Sequence, residues 1–219
     1  MITILNKSNS IFKQYLAEIR DHEIQKDSMR FRRNMERMGE IIAYEISKTL
    51  PYEAMQIQTP LGIAEESVPS EFPVFTSVLR AGLPLHHGML SIFDKSPNGF
   101  ISSYRNYEKD GTFQIKLEYI SCPDITNKVL IISDAMLASG MTIELAYRAL
   151  LEKGTPRHTH LVALIASKEG VNYLRKKLPD QKVSIWIGAL DDELTVKSFI
   201  VPGLGDAGDL AFGEKMILL

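Results

Sequence analysis

The sequence predicts an α/β fold: a central parallel sheet with helices on both faces. Two observations predict it. Short apolar runs alternate with amphipathic segments from Phe72 onward, and the runs are almost continuously apolar, as strands buried on both faces are. Size and composition agree, since 219 residues with 45% hydrophobic and 24% charged content make an ordinary globular protein with a large core. A disordered, collagen-like or disulfide-stapled chain is excluded. Lys and Arg number 25 against 27 Asp and Glu, a net charge of −2. No global positive field for nucleic acid exists, although a local anion site remains open. The single cysteine, Cys122, cannot form an internal disulfide. With no secretory pattern in MITILNKSNS and no apolar run long enough to span a bilayer, a cytoplasmic protein without a membrane partner is expected.

No repeat or flexible linker divides the chain, so residues 1–219 read as one domain: an N-terminal helical arm over 1–50, a core of sheet and helices over 72–190, and a tail over 191–219. In the arm, Phe31, Met35, Met38, Ile42 and Ile46 recur at helical spacing, with Arg32, Arg33, Glu36 and Glu40 between them and Pro51 as the stop. The stripe reads as packing surface. Left uncovered, it predicts a homodimer or larger homo-oligomer. Strands are predicted at Pro73–Leu79, Gly99–Tyr104, Lys128–Met136, Thr159–Ser167 and Val183–Leu190. LRAGLPLHHGMLSIF, TIELAYRALLEKG and EGVNYLRKKLP read as the helices between them, the second closed by Gly154 and the third by Pro179. The Tyr-rich and charged stretch Tyr104–Pro123, with Asp110-Gly111 as its turn, predicts a β-hairpin flap off the main sheet.

Ligands of open parallel sheets gather beyond the carboxyl ends of the strands. There, KVLIISD ends in Asp134 and is followed by the loop AMLASGM and by Thr142 at a helix start. Ser139, Gly140 and Thr142 at a helix N-terminus offer backbone N–H groups and hydroxyls to a phosphate. The same residues equally suit a plain strand-to-helix turn with a capping hydroxyl. Neither a Walker lysine nor three spaced glycines are present. In the tail, Gly203, Gly205, Gly208 and Gly213 are four of the fourteen glycines, a density that lets backbone groups approach a flat ligand. It also suits a flexible tail, but the apolar flanks IVPGL and Leu210, Ala211 and Phe212 would anchor it against a core.

IISDAMLASGMT resembles the loop with which type I phosphoribosyltransferases bind the ribose 5-phosphate of phosphoribosyl pyrophosphate (PRPP). FIVPGLGDAGDLAFG is similar to the C-terminal signature of uracil phosphoribosyltransferases, and VLRAGLPLHHGML and ISSYRN match that family in order and spacing. The resemblance covers about Tyr44 to Phe212. It implies that Asp134, Ala135, Met136, Leu137, Ala138, Ser139, Gly140, Met141 and Thr142 embrace the ribose phosphate, with Asp134 near the ribose hydroxyls. It implies that Arg80 and Arg105 hold the pyrophosphate, a task suited to guanidinium forks. Ile200, Gly205, Asp206 and Ala207 would read uracil from a small C-terminal base-binding hood, with Asp206 also facing PRPP. Asp134, Arg105 and Arg80 are then the catalytic candidates.

The implied reaction moves the phosphoribosyl group from PRPP to N1 of uracil, giving UMP and pyrophosphate in pyrimidine salvage. Mg²⁺ is the expected cofactor, held mainly by substrate oxygens with no protein metal site. A GTP effector is left open. Ala135 stands where the family usually has Pro, and Met141 where it has a second glycine; weaker phosphate binding is the expectation. His86 and His87 read as packing or surface residues, and their spacing to His158 and His160 matches no metal pattern. The alternatives are a phosphoribosyltransferase for another base and a non-catalytic PRPP-sensing regulator of the same fold.

Overall fold

Residues that alternate between two cores build a sheet covered on both sides, and the computed structural model, which describes residues 1–107 and 113–215, sorts them this way. In chain order the elements are β1 (Ile2–Ile4), α1 (Phe12–Arg20), α2 (Ser28–Ser47), β2 (Tyr52–Thr59), β3 (Gly62–Pro69), β4 (Val74–Leu79), α3 (Gly82–Ile92), β5 (Asn98–Tyr107), β6 (Phe113–Ser121), β7 (Val129–Leu137), α4 (Met141–Leu151), β8 (His158–Ser167), α5 (Lys168–Lys177), β9 (Val183–Asp191), β10 (Glu193–Leu194), β11 (Ile200–Val201) and α6 (Ala207–Phe212). The main sheet has seven strands in the order β1-β9-β8-β7-β4-β5-β6. All neighbours are parallel except β5 and β6.

Phe75, Ile131, Val162, Leu164 and Trp186 face one core, which α1, α2, α3 and α6 cover. Val74, Val78, Leu130, Ile132 and Ile185 face the other, under α4 and α5. The predicted strands and helices of residues 72–190 are all present, within a few residues at each end.

The first fifty residues are part of this body rather than an arm. Ile2 pairs with Ile185, adding β1 to the sheet edge. The Asp27 carboxylate accepts the Arg30 N–H at 3.0 Å and caps α2. The stripe Phe31, Met35, Met38, Ile42 and Ile46 is then fully buried against the sheet and α3. This corrects the basis of the expected assembly: the stripe is consumed by the chain's own core. Close helix packing is permitted by Gly88, where a Cβ would lie 1.9 Å from the Glu36 carbonyl oxygen.

Instead, the sequence reading missed β2 and β3, an antiparallel two-stranded hairpin separate from the main sheet. Met55, Ile57, Leu61 and Ile63 are exposed on it. The predicted Tyr104–Pro123 hairpin forms as β5 and β6 but begins inside the sheet. Asn98–Ser102 pair with β4, a bulge falls at Ser102/Ser103, and Ser103–Tyr107 pair with β6 alone. The Asp110-Gly111 turn lies outside the described residues. Among the described residues, no helix is long and apolar enough to cross a membrane.

Candidate active site

The strand order places a switch point between β4 and β7. After β4 the chain crosses by α3 to β5 on one side; after β7 it crosses by α4, on the opposite face, to β8 on the other. Diverging connections open a crevice beyond the carboxyl ends of the two central strands. Arg80 follows β4 and Asp134 lies near the end of β7, so both occupy that crevice. The Leu79–Arg80 peptide is cis.

The β7–α4 connection is shorter than the sequence reading has it. Ala135 and Leu137 are buried in opposite cores, and pairing with β8 continues to Leu137 opposite Ala166. The loop expected from Ala135 therefore begins at Ala138, because alternating small and apolar side chains extend the strand. Ala138 and Ser139 lead to Gly140, which has φ +83° and precedes α4. A side chain at Gly140 would be strained, and its Cβ would lie 2.9 Å from the Gly170 carbonyl oxygen. Ser139 and Thr142 are half-buried and Met141 is exposed. The loop is held from behind: the Ser167 hydroxyl donates to the Ala138 carbonyl at 2.6 Å and accepts the Gly170 N–H at 2.8 Å. Sequence reasoning missed Ser167 and Gly170, although Ser-Lys-Glu-Gly ahead of an amphipathic run is a helix-cap signal.

Asp134 is half-buried as a residue, and burial of its carboxyl raises its pKa to about 7 despite the N–H groups of Met136 and Ala135. No cation pairs with it among the described residues. The space a Cβ on Gly82 would need is taken by Ser77 Oγ at 2.5 Å and the Ser133 carbonyl oxygen at 3.1 Å, so this glycine packs α3 against β7.

Arg80 reaches over to the tail. Its Nη2 donates to Asp209 Oδ1 at 3.1 Å and to the Gly213 carbonyl at 3.2 Å. Asp206 caps α6 by accepting the N–H groups of Gly208 and Asp209 at 2.9 and 3.0 Å. Lys215 Nζ lies 2.9 Å from Asp206 and 3.6 Å from Asp209. Burial pulls the Asp206 pKa upward, but Lys215 and the two N–H groups outweigh it and the net shift is downward. Ile200 and Ala207 have buried side chains and offer only backbone, whereas Gly205 is exposed with φ +94° and open space at its Cβ position. The structure thus links Arg80 to Asp206 through Asp209 and Lys215, with Gly205 directly before Asp206 in the chain. Arg105 lies on the outer half of β5, and its side chain is outside the described residues.

His86 is fully buried, with its ring 6.0 Å from Phe75 and 5.0 Å from Phe100, and neither ring nitrogen has a hydrogen-bond partner. Burial lowers its pKa to about 4, which suits packing and not proton transfer.

A helix-flanked crevice carrying a glycine-turned loop, a desolvated carboxyl and an arginine defines an α/β protein whose strand ends carry the donors that a small phosphorylated ligand needs. Comparison with known proteins narrows this class. The family model described as uracil phosphoribosyltransferase matches residues 6–214, and the chain belongs to that family. It is 53% identical over 212 residues, 97% of the chain and 98% of the relative, to a protein of Porphyromonas gingivalis named uracil phosphoribosyltransferase. A protein of the same name from Pyrococcus furiosus is 36% identical over 206 residues, covering 93% and 86%. Among solved structures, the AQ2163 protein from Aquifex aeolicus superposes with a TM-score of 0.86 at 30% identity, covering 97% of this chain and 98% of that one.

Proposed function

We propose that this protein transfers the 5-phosphoribosyl group from PRPP to N1 of uracil, forming UMP and pyrophosphate, a step of pyrimidine salvage. The observation that carries the assignment is the convergence at the β4/β7 switch point. The Ala138–Thr142 turn, Asp134 and Arg80 meet there, and Arg80 is hydrogen-bonded to the glycine-rich tail that would read the base. Family membership and relatives named for this activity support the same reading.

In this mechanism the Ser139–Thr142 N–H groups and hydroxyls take the ribose 5-phosphate at the start of α4. Arg80, with Arg105 from the β5–β6 hairpin, holds the pyrophosphate and stabilises the charge it gains on leaving. Asp134 faces the ribose and, as a carboxylate, stabilises cationic character developing at C1′. Backbone at Ile200, Gly205, Asp206 and Ala207 reads O2, N3–H and O4 of the base. A 4-amino group would set donor against donor there and cost about 1–3 kcal/mol. Asp134 also fits Mg²⁺: a desolvated carboxyl with no cationic partner among the described residues provides one hard oxygen donor, and this metal takes its remaining ligands from substrate and water. When bound, the metal neutralises pyrophosphate charge.

The proposed homodimer uses the β2–β3 hairpin. Two strands without a core beneath them are marginal in water, and this pair exposes Met55, Ile57, Leu61 and Ile63. A cytoplasmic site of action completes the proposal.

The test is incubation with PRPP, Mg²⁺ and a panel of bases, with and without GTP. UMP from uracil alone is expected. Nucleotide from a purine or orotate, or none from any base, overturns the assignment.

A further inference from the structure

Three donors from the first thirty-two residues occupy carbonyls of the tail. Arg20 Nη1 donates to the Gly203 carbonyl at 2.9 Å, and Arg32 Nη1 to the Ala211 carbonyl at 2.6 Å, with the Arg32 guanidinium 6.0 Å from the Phe212 ring. The Gln25 amide, oriented to satisfy both carbonyls it faces, donates to Ile19 at 3.0 Å and to Leu204 at 2.9 Å. The Arg20 contact is the most constrained. Its two terminal nitrogens grip Asp191, at the end of β9, in a fork at 2.8 and 2.7 Å. Asp191 Oδ2 also accepts the Gly203 N–H at 2.9 Å. Both backbone polar groups of Gly203 are thereby held by one ion pair whose side chains are 22% and 6% exposed.

Gly203 sits in a tight turn of the tail. Its φ is +56°, and a Cβ there would lie 2.1 Å from the Ile200 carbonyl oxygen. Its neighbour Leu204 is also tied, by Gln25, whereas Gly205 has open space at its Cβ position. Net stabilisation does not explain a nearly buried ion pair, because desolvation offsets most of the attraction; a fork that orients two peptide groups does give geometric definition.

We infer that Arg20, paired with Asp191, is a positioning residue for uracil: it fixes the Ile200–Gly205 backbone so that the base-reading groups are presented in one register. The inference rests on the reading that this turn takes the base. Arg20 touches neither substrate and acts through Gly203. Its loss therefore weakens base binding without disturbing the PRPP side of the crevice.

The test compares wild type, Arg20→Lys, which keeps the charge but not the fork, and the double variant Arg20→Met with Asp191→Asn. The double variant leaves no buried charge unpaired and keeps an acceptor for the Gly203 N–H. The expected result is a KM for uracil raised about tenfold or more in the double variant, with Arg20→Lys between it and wild type. The KM for PRPP and kcat should stay within about twofold. Equal rises in both KM values, no rise in either, or a double variant that does not fold would assign the fork to general structure and overturn the inference. Amide hydrogen exchange, read on the same proteins without substrate, separates this from the activity itself. Faster exchange confined to residues 200–208 upholds the fork even if wild type makes no UMP; unchanged exchange there overturns it even if UMP is made.

Discussion

Asp134→Asn replaces a carboxyl whose pKa burial raises to about 7 with a neutral group of nearly the same shape. From an ordinary 3.8 the shift is about three units, and at 1.36 kcal/mol per unit it corresponds to about 4 kcal/mol. A raised carboxyl pKa means that the folded protein keeps a proton the unfolded chain has lost. Stability therefore falls as pH rises from about 4 to about 7, and above that the carboxylate imposes its full cost. Asparagine does not titrate, so the variant's advantage is absent near pH 4 and greatest above pH 7. For a chain of this size each kcal/mol moves Tm by about 2–4 °C, so the gap in Tm between variant and wild type widens by about 8 °C or more from pH 4.5 to pH 8. Thermal unfolding followed by circular dichroism without substrate, at four pH values across that window, measures it. At pH 8 the same variant is expected to lose about 100-fold in turnover, since in the proposed mechanism the charge that destabilises the empty site is the one that stabilises the ribose cation. A Tm gap that does not change with pH, or a variant less stable than wild type at pH 8, would refute the reasoning.

Two further outcomes follow from other parts of the molecule. His86 has a folded pKa of about 4 against 6.5 when free, so the unfolded state binds the extra proton and stability is lost as pH falls from about 6.5 toward 4. His86→Leu removes that loss and fills the same apolar site, so urea unfolding should show a gain of about 1 kcal/mol at pH 7 and a larger one at pH 5, where a smaller gain would count against the assignment. Met55→Glu with Ile57→Glu places two charges on one face of the β2–β3 hairpin. Sedimentation should show this variant as a monomer under conditions where wild type is a dimer, and a persisting dimer would move the contact elsewhere.

Much of the fold was legible because strands buried on both faces have a composition that little else shares. LVALIA and VLIIS could hardly belong to a surface element, and the stripe from Phe31 to Ile46 marked α2 directly. The β2–β3 hairpin escaped for the converse reason: YEAMQIQT mixes Glu and Gln with its apolar residues, and no core lies beneath it to impose a pattern. Three residues of β1 are too few to show any period. In the site, Asp134, Arg80 and the Gly140 turn could be found because a strand end followed by small residues and a helix start is a local pattern. The end of β7 was misplaced because Ala135 and Leu137 pass for loop residues until two cores claim them. Arg20 with Asp191, 171 residues apart, and Arg80 with Asp209, 129 residues apart, are pairings that only the folded chain reveals.

The central claim is that phosphoribosyl transfer to uracil takes place in the crevice at the β4/β7 switch point, with Arg80 on the pyrophosphate. Steady-state formation of UMP by wild type and Arg80→Ala, with PRPP varied at saturating uracil and Mg²⁺, tests it most directly. Loss of a guanidinium on phosphate oxygens is expected to lower kcat/KM for PRPP about 100-fold. UMP formed by Arg80→Ala with the wild-type kcat/KM would contradict the account.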